Sequence, residues 1–179
     1  LMDEEVFCPA CGEVMDVYGD HALVCACQGH RTRRHNKLRN GCFFDAQAAG
    51  FSGAELERPG LLPPRVPGEG PAAEEEGGSK CNDAGRRPAD VYVPGWRNGL
   101  PAALDFAVTS GLRADLLVHT VADASAALDR YEEHKRQHLD TARACRDADI
   151  TFIPMVVEAH GGGWGSESRR AFAGLARRS

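Results

Sequence analysis

Apolar and polar residues vary along this chain with periods that predict separate helices and strands. The regular stretches are helices over 36–50, 122–148 and 166–177, a short strand over 54–58, a strand pair over 90–93 and 102–109, and a strand over 150–158. The order of helix, strands, helix, strand and helix predicts an α/β fold with acidic residues at one edge of the sheet.

The strand pair is the most informative of these stretches. A turn over 94–99 separates the two strands, which together have the pattern of a hairpin. In the second strand, Phe106 and Val108 share one face and Asp105 lies on the other. We expect the Phe106 face to pack into the core.

The segment from about 60 to 85 is rich in Pro and Gly and carries three consecutive acids, Glu74, Glu75 and Glu76. Such a composition lacks the apolar residues needed for packing, so we predict a disordered loop. The chain of 179 residues is 42% hydrophobic, which suits one domain of ordinary size with a small appendage. No apolar run approaches membrane-spanning length, and the N-terminus lacks the order of a signal peptide. We therefore expect an intracellular protein without a membrane partner, and the initial Leu suggests a piece of a longer chain.

Clustered cysteines predict a metal site in the first thirty residues. Cys8 and Cys11 flank a tight turn in which both thiolates can face one ion. His21 and Cys25 are spaced to lie on one face of a helical turn, which completes a closed Cys₃His set typical of structural zinc. Cys27 and His30 are competing ligands, and a redox Cys-x-x-Cys or ordinary buried cysteines are the alternative. We thus divide the chain into a zinc knuckle over 1–30 and a larger domain over 31–179.

The net charge of −5 argues against a nucleic-acid partner, but the distribution of charge favours one. Five basic residues fall in one short stretch without an acid: Arg31, Arg33, Arg34, Lys37 and Arg39. We predict that this stretch binds the backbone of DNA or RNA. The alternative is a solvated helix face.

Two acids on consecutive predicted strands predict a second metal site. Asp90 and Asp105 lie fifteen positions apart, and adjacent strands would bring them into one coordination sphere. A buried carboxylate is costly unless a partner or a metal compensates for its desolvation. Carboxylate oxygens with room for water suit Mg²⁺ or Mn²⁺. Glu57 and Glu158 could add a further acid, and the alternative is a pair of surface acids at strand ends.

In these motifs the chain resembles the PD-(D/E)XK restriction-like nucleases, whose core is a mixed sheet with acids on neighbouring strands. The order Cys8-x2-Cys11, His21-x3-Cys25, Arg34-His35-Asn36, Arg87-Pro88-Ala89-Asp90 and Leu104-Asp105 is similar to the C-terminal zinc knuckle and restriction-like endonuclease domain of site-specific non-LTR retrotransposons. The resemblance implies a restriction-endonuclease-like mixed sheet flanked by helices, with a small N-terminal zinc knuckle. It also implies that the domain nicks target DNA, that a reverse transcriptase domain belongs to the full-length protein, and that the protein is nuclear.

The chain departs from the family pattern at two positions. Ala89 separates the proline and the first acid, and Ala107 replaces the lysine expected two residues after the second acid. Some restriction-like families place that lysine on a neighbouring helix, and Lys135 is then the candidate, with Tyr131 one helical turn before it and Arg130 as the runner-up.

Two hypotheses for function follow. In the first, Asp90 and Asp105 bind Mg²⁺ or Mn²⁺, Lys135 activates or orients the water, and the basic stretch holds the DNA of a metal-dependent endonuclease. In the second, the chain is a catalytically inactive, zinc-stabilised module on the same fold that binds nucleic acid or another partner. The absence of an in-strand lysine favours the second hypothesis, and convergence of both acids with Lys135 would favour the first.

Overall fold

The computed structural model describes residues 6–17, 19–25, 27–64, 86–113 and 116–178. Within these ranges the chain forms six α-helices and four strands. The helices are α1 Asp20–Val24, α2 His30–Ala48, α3 Leu117–Ala122, α4 Ala126–Gln137, α5 Thr141–Asp147 and α6 Ser166–Ala176. The strands are β1 Glu55–Leu56, β2 Val91–Arg97, β3 Leu100–Thr109 and β4 Thr151–Glu158.

The four strands make one mixed sheet in the order β1-β2-β3-β4. The first three strands pair antiparallel, and β4 lies parallel to β3 along its whole length, with Asp105 opposite Pro154. The predicted α/β class is therefore confirmed as a four-stranded mixed sheet with helices. Strand β3, which carries Asp105, occupies an interior position in this sheet.

The predicted hairpin is present as β2 and β3, but β2 is longer than expected. It continues past Pro94 to Arg97, and its register shifts between Val93 and Arg97. Proline has no N–H to donate to a neighbouring strand, so a bulge at this point lets the strand continue. Asn98 and Gly99, both with positive φ, form the tight turn.

The single helix predicted over 122–148 is wrong, because the chain breaks it twice. Helix α3 ends at Ala122, α4 ends at Gln137, and α5 begins at Thr141 after a short 3₁₀ turn. The second break lies at Leu139 and Asp140, which both have φ of 54°. It allows α5 to pack back on the sheet, where Cys145 is fully buried with Ala103.

Helices cover both faces of the sheet. On one face, α2 and α6 enclose the larger core, in which Phe106, Met155 and Leu175 are buried. The expectation that Phe106 points into the core is thus confirmed. On the other face, Leu128 of α4 packs against Ala107 and Val156. The face of β3 that carries Asp105 is therefore roofed by α4, the helix that carries Lys135.

The segment predicted as a disordered loop is described only at its start. Leu62 is buried and packs with Ala89 and Cys145. The remainder of that prediction, over 65–85, lies outside the described residues. In the described part of the chain, no helix combines the length and the apolar character needed to cross a membrane.

Candidate active site and metal centre

The four predicted zinc ligands converge near the N-terminus. One ligand atom from each of Cys8, Cys11, His21 and Cys25 lies within 4.8 Å of the other three. The Sγ atom of Cys25 lies 4.0 Å from that of Cys8 and 3.8 Å from that of Cys11. Tetrahedral zinc with Zn–S bonds of about 2.3 Å requires sulfur atoms about 3.8 Å apart. This group could therefore hold a metal ion such as zinc.

Local structure explains why these residues meet. Cys8 and Cys11 flank a turn closed by the Gly12 N–H, which donates to the Cys8 carbonyl. Gly12 has φ of 78°, a conformation that glycine adopts without strain. The Cys25 N–H donates to the His21 carbonyl at 2.8 Å, so the last turn of α1 brings the second pair together. Among the described residues, Cys25 belongs to the cluster and Cys27 does not.

The two thiols of the first pair have different acidities. The Ala10 N–H is the main cause that lowers the pKa of Cys8 to about 6. The Glu13 N–H also acts to lower the pKa of Cys11, but burial and the neighbouring Cys8 and Cys25 outweigh it and raise that pKa to about 11. A thiol must lose its proton to bind a metal, and the N–H of Ala10 favours the thiolate form of Cys8.

Hydrogen bonds fix the knuckle to the larger domain. The Asp20 carboxylate of α1 accepts the Ser110 hydroxyl at 2.5 Å and contacts His160 Nε2 at 2.9 Å. The Arg34 guanidinium donates to the Ala22 carbonyl at 3.2 Å. Asp20 and Leu23 consequently line the same cleft as residues of the sheet.

Asp90 directly precedes β2, and its side chain reaches across to β3. Its Oδ2 accepts the Phe106 N–H at 2.6 Å and contacts His35 Nε2 at 3.1 Å. Burial acts to raise the pKa of Asp90, but the hydrogen bonds from His35 and Phe106, with the charges of His35 and Lys135, outweigh it and lower that pKa. Asp90 is therefore held as a carboxylate.

Asp105 is paired with Lys135 of α4. The Lys135 Nζ lies 3.1 Å from Oδ1 and 2.9 Å from Oδ2 of this carboxylate. Burial nevertheless raises the pKa of Asp105 to about 6, since the charge of Lys135 only partly opposes it and the charge of Asp90 adds to it. The two acids thus lie close enough to affect each other, and Lys135 acts on both.

His35 is a residue of this site to which the sequence alone assigned no role. Its pKa is raised, mainly by the hydrogen bond to Asp90. Its other ring nitrogen, Nδ1, lies 3.4 Å from the Asn36 side-chain oxygen. Two oxygen acceptors on the two ring nitrogens suit a protonated imidazolium. The available signal was the sequence Arg34-His35-Asn36 itself, which forms part of the resemblance.

A cleft of about 520 Å³ opens above the two ion pairs. His35 and Lys135, the cations that hold the acids, both line it. Arg31, Arg34 and Tyr131 also line it. Cationic groups therefore line this cleft together with the acid Asp20, and His35 and Lys135 connect it to Asp90 and Asp105.

The basic stretch on α2 does not act as one surface. Arg31 and Arg34 line the cleft, and Arg33 is exposed. Lys37 lines a separate, largely apolar groove of about 500 Å³. Arg39 is mostly buried and pairs with Glu57.

The other candidate acids and cation lie elsewhere. Glu57 pairs with Arg39 and Arg87, and Glu158 accepts backbone N–H groups of Gly111 and His160. Arg130 lines a neighbouring cavity and not the cleft. Lys135 is therefore the cation that contacts Asp105.

The chain matches no protein-family model and no curated protein.

Proposed function

We propose that this chain is a metal-dependent DNA endonuclease domain of the restriction-like class, which nicks one strand of a duplex. The observation that carries the proposal is the convergence of two acids and a lysine beside a cleft: Lys135 lines the cleft and contacts Asp105, and the charge of Asp90 acts on Asp105. Two carboxylates and a lysine in this arrangement are the groups that such chemistry requires. These residues are distant in the sequence, since fifteen positions separate the two acids and thirty separate Asp105 from Lys135. Their proximity is therefore a property of the fold.

The residues present fit a hard divalent cation. Asp90 and Asp105 offer carboxylate oxygens from neighbouring strands, and the charge of each is felt by the other. Such oxygens suit Mg²⁺ or Mn²⁺. When bound, the ion would lower the pKa of a water ligand and stabilise the leaving oxygen of a phosphodiester.

The chain's own residues supply positioning and charge. The Lys135 ammonium occupies the position of a cation at Asp105, and when freed from that pair it can donate to the attacking water or to a phosphate oxygen. His35 holds Asp90 in one orientation through the contact at 3.1 Å. Arg31 and Arg34 offer guanidinium donors to the backbone on the α2 side of the cleft.

The surrounding fold supports a more specific placement within the restriction-like class. The mixed sheet has the two acids on neighbouring strands, and the Cys₃His group precedes it in the chain. We infer that this group holds a structural zinc and that the domain belongs to a retrotransposon-like nuclear protein. In such a protein the nick would expose a primer end for a reverse transcriptase domain of the longer chain.

Nicking of supercoiled plasmid tests the proposal. Wild-type protein with Mg²⁺ or Mn²⁺ should convert supercoiled plasmid to the open circle, and Asp105→Ala should not. Asp147→Ala, which removes an exposed carboxylate from α5, is the matched control and should nick at the wild-type rate. Absence of nicking by wild-type protein with either metal, on plasmid or on branched and single-stranded DNA, would overturn the proposal.

A second candidate is a nucleic-acid-binding module that has lost cleavage. The observation in its favour is that each acid already has a cation from the chain, His35 for Asp90 and Lys135 for Asp105. Neither carboxylate then needs a metal for charge balance. Calorimetric titration with Mn²⁺ separates the two candidates. An endonuclease should bind Mn²⁺, and Asp105→Ala should abolish that binding. An inactive module should not bind Mn²⁺ at this site.

A further inference from the structure

A second cavity adjoins the cleft on the side of α4. It has a volume of about 360 Å³ and is lined by Arg113, Leu116, Arg130, Tyr131 and His134. Arg113 and Tyr131 line both this cavity and the cleft. A bound ligand strand that extends out of the cleft past Arg113 and Tyr131 would therefore enter the second cavity.

The geometry of α4 separates the roles of its side chains. Residues four apart lie above one another on a helix, so Tyr131 and Lys135 form one row and Arg130 and His134 form the next. The first row lines the cleft, and the second row lines only the neighbouring cavity. Tyr131 stands between the two spaces, with its ring 5.6 Å from that of His134.

The charge of this cavity favours an anion. Among the described residues that line it, none is acidic, although the whole chain carries a net charge of −5. Arg130 is exposed, and within the part of the chain that the structure describes it forms no ion pair. Arg136, on the same helix, is instead engaged by Glu132, Glu133 and Glu167. The Arg130 guanidinium is thus available to an external ligand.

We propose that Arg130 and His134 form a second phosphate subsite, which binds a backbone phosphate of the DNA strand flanking the phosphate addressed by Lys135. The inference rests on the proposed function for the identity of the polymer. The cavity offers the hydrogen-bond donors of Arg130 and His134, and contacts of such groups with phosphate hold the backbone without selecting sequence. Its effect is to fix the register of the strand over the two acids.

The salt dependence of DNA binding tests whether Arg130 contacts a phosphate. Each phosphate contact contributes about 0.9 to the slope of log affinity against log salt concentration. With a fluorescein-labelled duplex of arbitrary sequence and no Mg²⁺, Arg130→Gln should lower the slope by about 0.9. Arg143→Gln, which removes the same charge from an exposed arginine paired with Asp140, is the matched control and should leave the slope unchanged. Equal slopes for the two variants would overturn the subsite.

A substrate modification locates the contact. In a duplex built around a nick site mapped from plasmid, each phosphate of the nicked strand is replaced in turn by an uncharged methylphosphonate. One flanking position should weaken wild-type binding and have no effect on Arg130→Gln. Additive losses at every position would overturn the subsite.

The two proposals fail separately. If wild-type protein nicks plasmid while the Arg130→Gln slope equals that of the control, the subsite is wrong and the endonuclease stands. If the slope falls as expected and no nicking occurs, the subsite stands on a binding module. Competition by inorganic phosphate, at millimolar concentration and constant ionic strength, distinguishes a site for the polymer from a site for free phosphate. If free phosphate occupies the site, wild type and Arg130→Gln should bind the duplex with equal affinity. If the site binds the polymer, the difference between the two proteins should remain.

Discussion

Replacing Asp105 by Asn tests whether the Asp105 carboxylate, which contacts Lys135 beside the cleft, is costly to ionise. Burial raises the pKa of Asp105 from the ordinary value of 3.8 to about 6, although Lys135 and His35 oppose the rise. Asn has nearly the shape of the neutral acid and cannot ionise. The variant therefore removes the cost of the charge while keeping the volume of the side chain.

The sign of the effect follows from proton linkage. Folded protein holds this proton more tightly than the unfolded chain, so wild-type stability falls as pH rises from about 4 to about 6 and then levels off. The total loss is about 3 kcal/mol, since one pKa unit corresponds to about 1.36 kcal/mol. About half of that loss develops above pH 5, so Asp105→Asn should gain roughly 1 to 2 kcal/mol relative to wild type between pH 5 and pH 8.

Urea unfolding measures this difference. The fluorescence of Trp96, which is buried, and Trp164, which packs against Phe106, reports on the core. The buffer contains neither Mg²⁺ nor a chelator, so that any ion in the knuckle stays in place. Asp147→Asn, at an exposed position, controls for the loss of one negative charge. A gap between Asp105→Asn and wild type that is the same at pH 5 and pH 8 would refute the argument.

Addition of Mg²⁺ at pH 8 extends the test to the metal. An ion that binds only the folded protein stabilises it by about 1.4 kcal/mol at a concentration ten times its Kd. Wild type should show this gain and Asp105→Asn should not. A wild-type protein that is unaffected by Mg²⁺ would remove the metal from the site and leave the proton effect intact.

Three further predictions concern the knuckle, the basic stretch and the junction between α4 and α6. Cys8→Ser should lose the bound zinc and unfold the knuckle, whereas Cys145→Ser, buried away from the cluster, should retain about one zinc by elemental analysis. Substitution of Arg31, Arg33 and Arg34 together should weaken binding to unrelated duplexes equally and reduce the salt dependence of that binding. Unchanged binding at low salt would contradict this prediction. Gly165→Ala would place a methyl group on the Glu132 carboxylate and should cost about 2 kcal/mol in urea unfolding, whereas Gly163→Ala meets open space and should cost less than about 0.5 kcal/mol.

Local patterns predicted the sheet well. The alternation in β3 and the apolar run of β4 are properties of consecutive residues, and both strands lie where the sequence places them. The division of the long predicted helix depends on Leu139 and Asp140 in the left-handed region. Neither residue is Gly or Pro, so no composition signal marks that break. Packing of Cys145 against the sheet decides it instead.

The same distinction separates the parts of the site. Cys8 and Cys11 lie three residues apart and His21 and Cys25 lie four apart, so each pair is set by one turn of chain. His35 meets Asp90 across 55 positions, and its contact depends on where α2 lies against the sheet. Apart from its place in the sequence Arg34-His35-Asn36, a histidine in a basic helix carries no sign of such a partner.

Charge balance between Lys135 and Asp105 beside the cleft links the stability of the site to its proposed chemistry. Lys135 contacts both oxygens of Asp105, so a divalent ion that binds this carboxylate must displace the ammonium or share it. Displacement frees a positive group inside a cleft already lined by Arg31 and Arg34, where a bound phosphate provides the new acceptor. Metal and DNA should therefore each strengthen the binding of the other. A metal at Asp105 would free Lys135 to contact a phosphate, and a phosphate that binds Lys135 would leave Asp105 available to a metal. Asp90 follows a different course, since His35 and the Phe106 N–H hold it as a carboxylate before either ligand arrives. Asp90 would thus accept an ion without rearrangement, whereas Asp105 would become available to it only as Lys135 turned toward a phosphate.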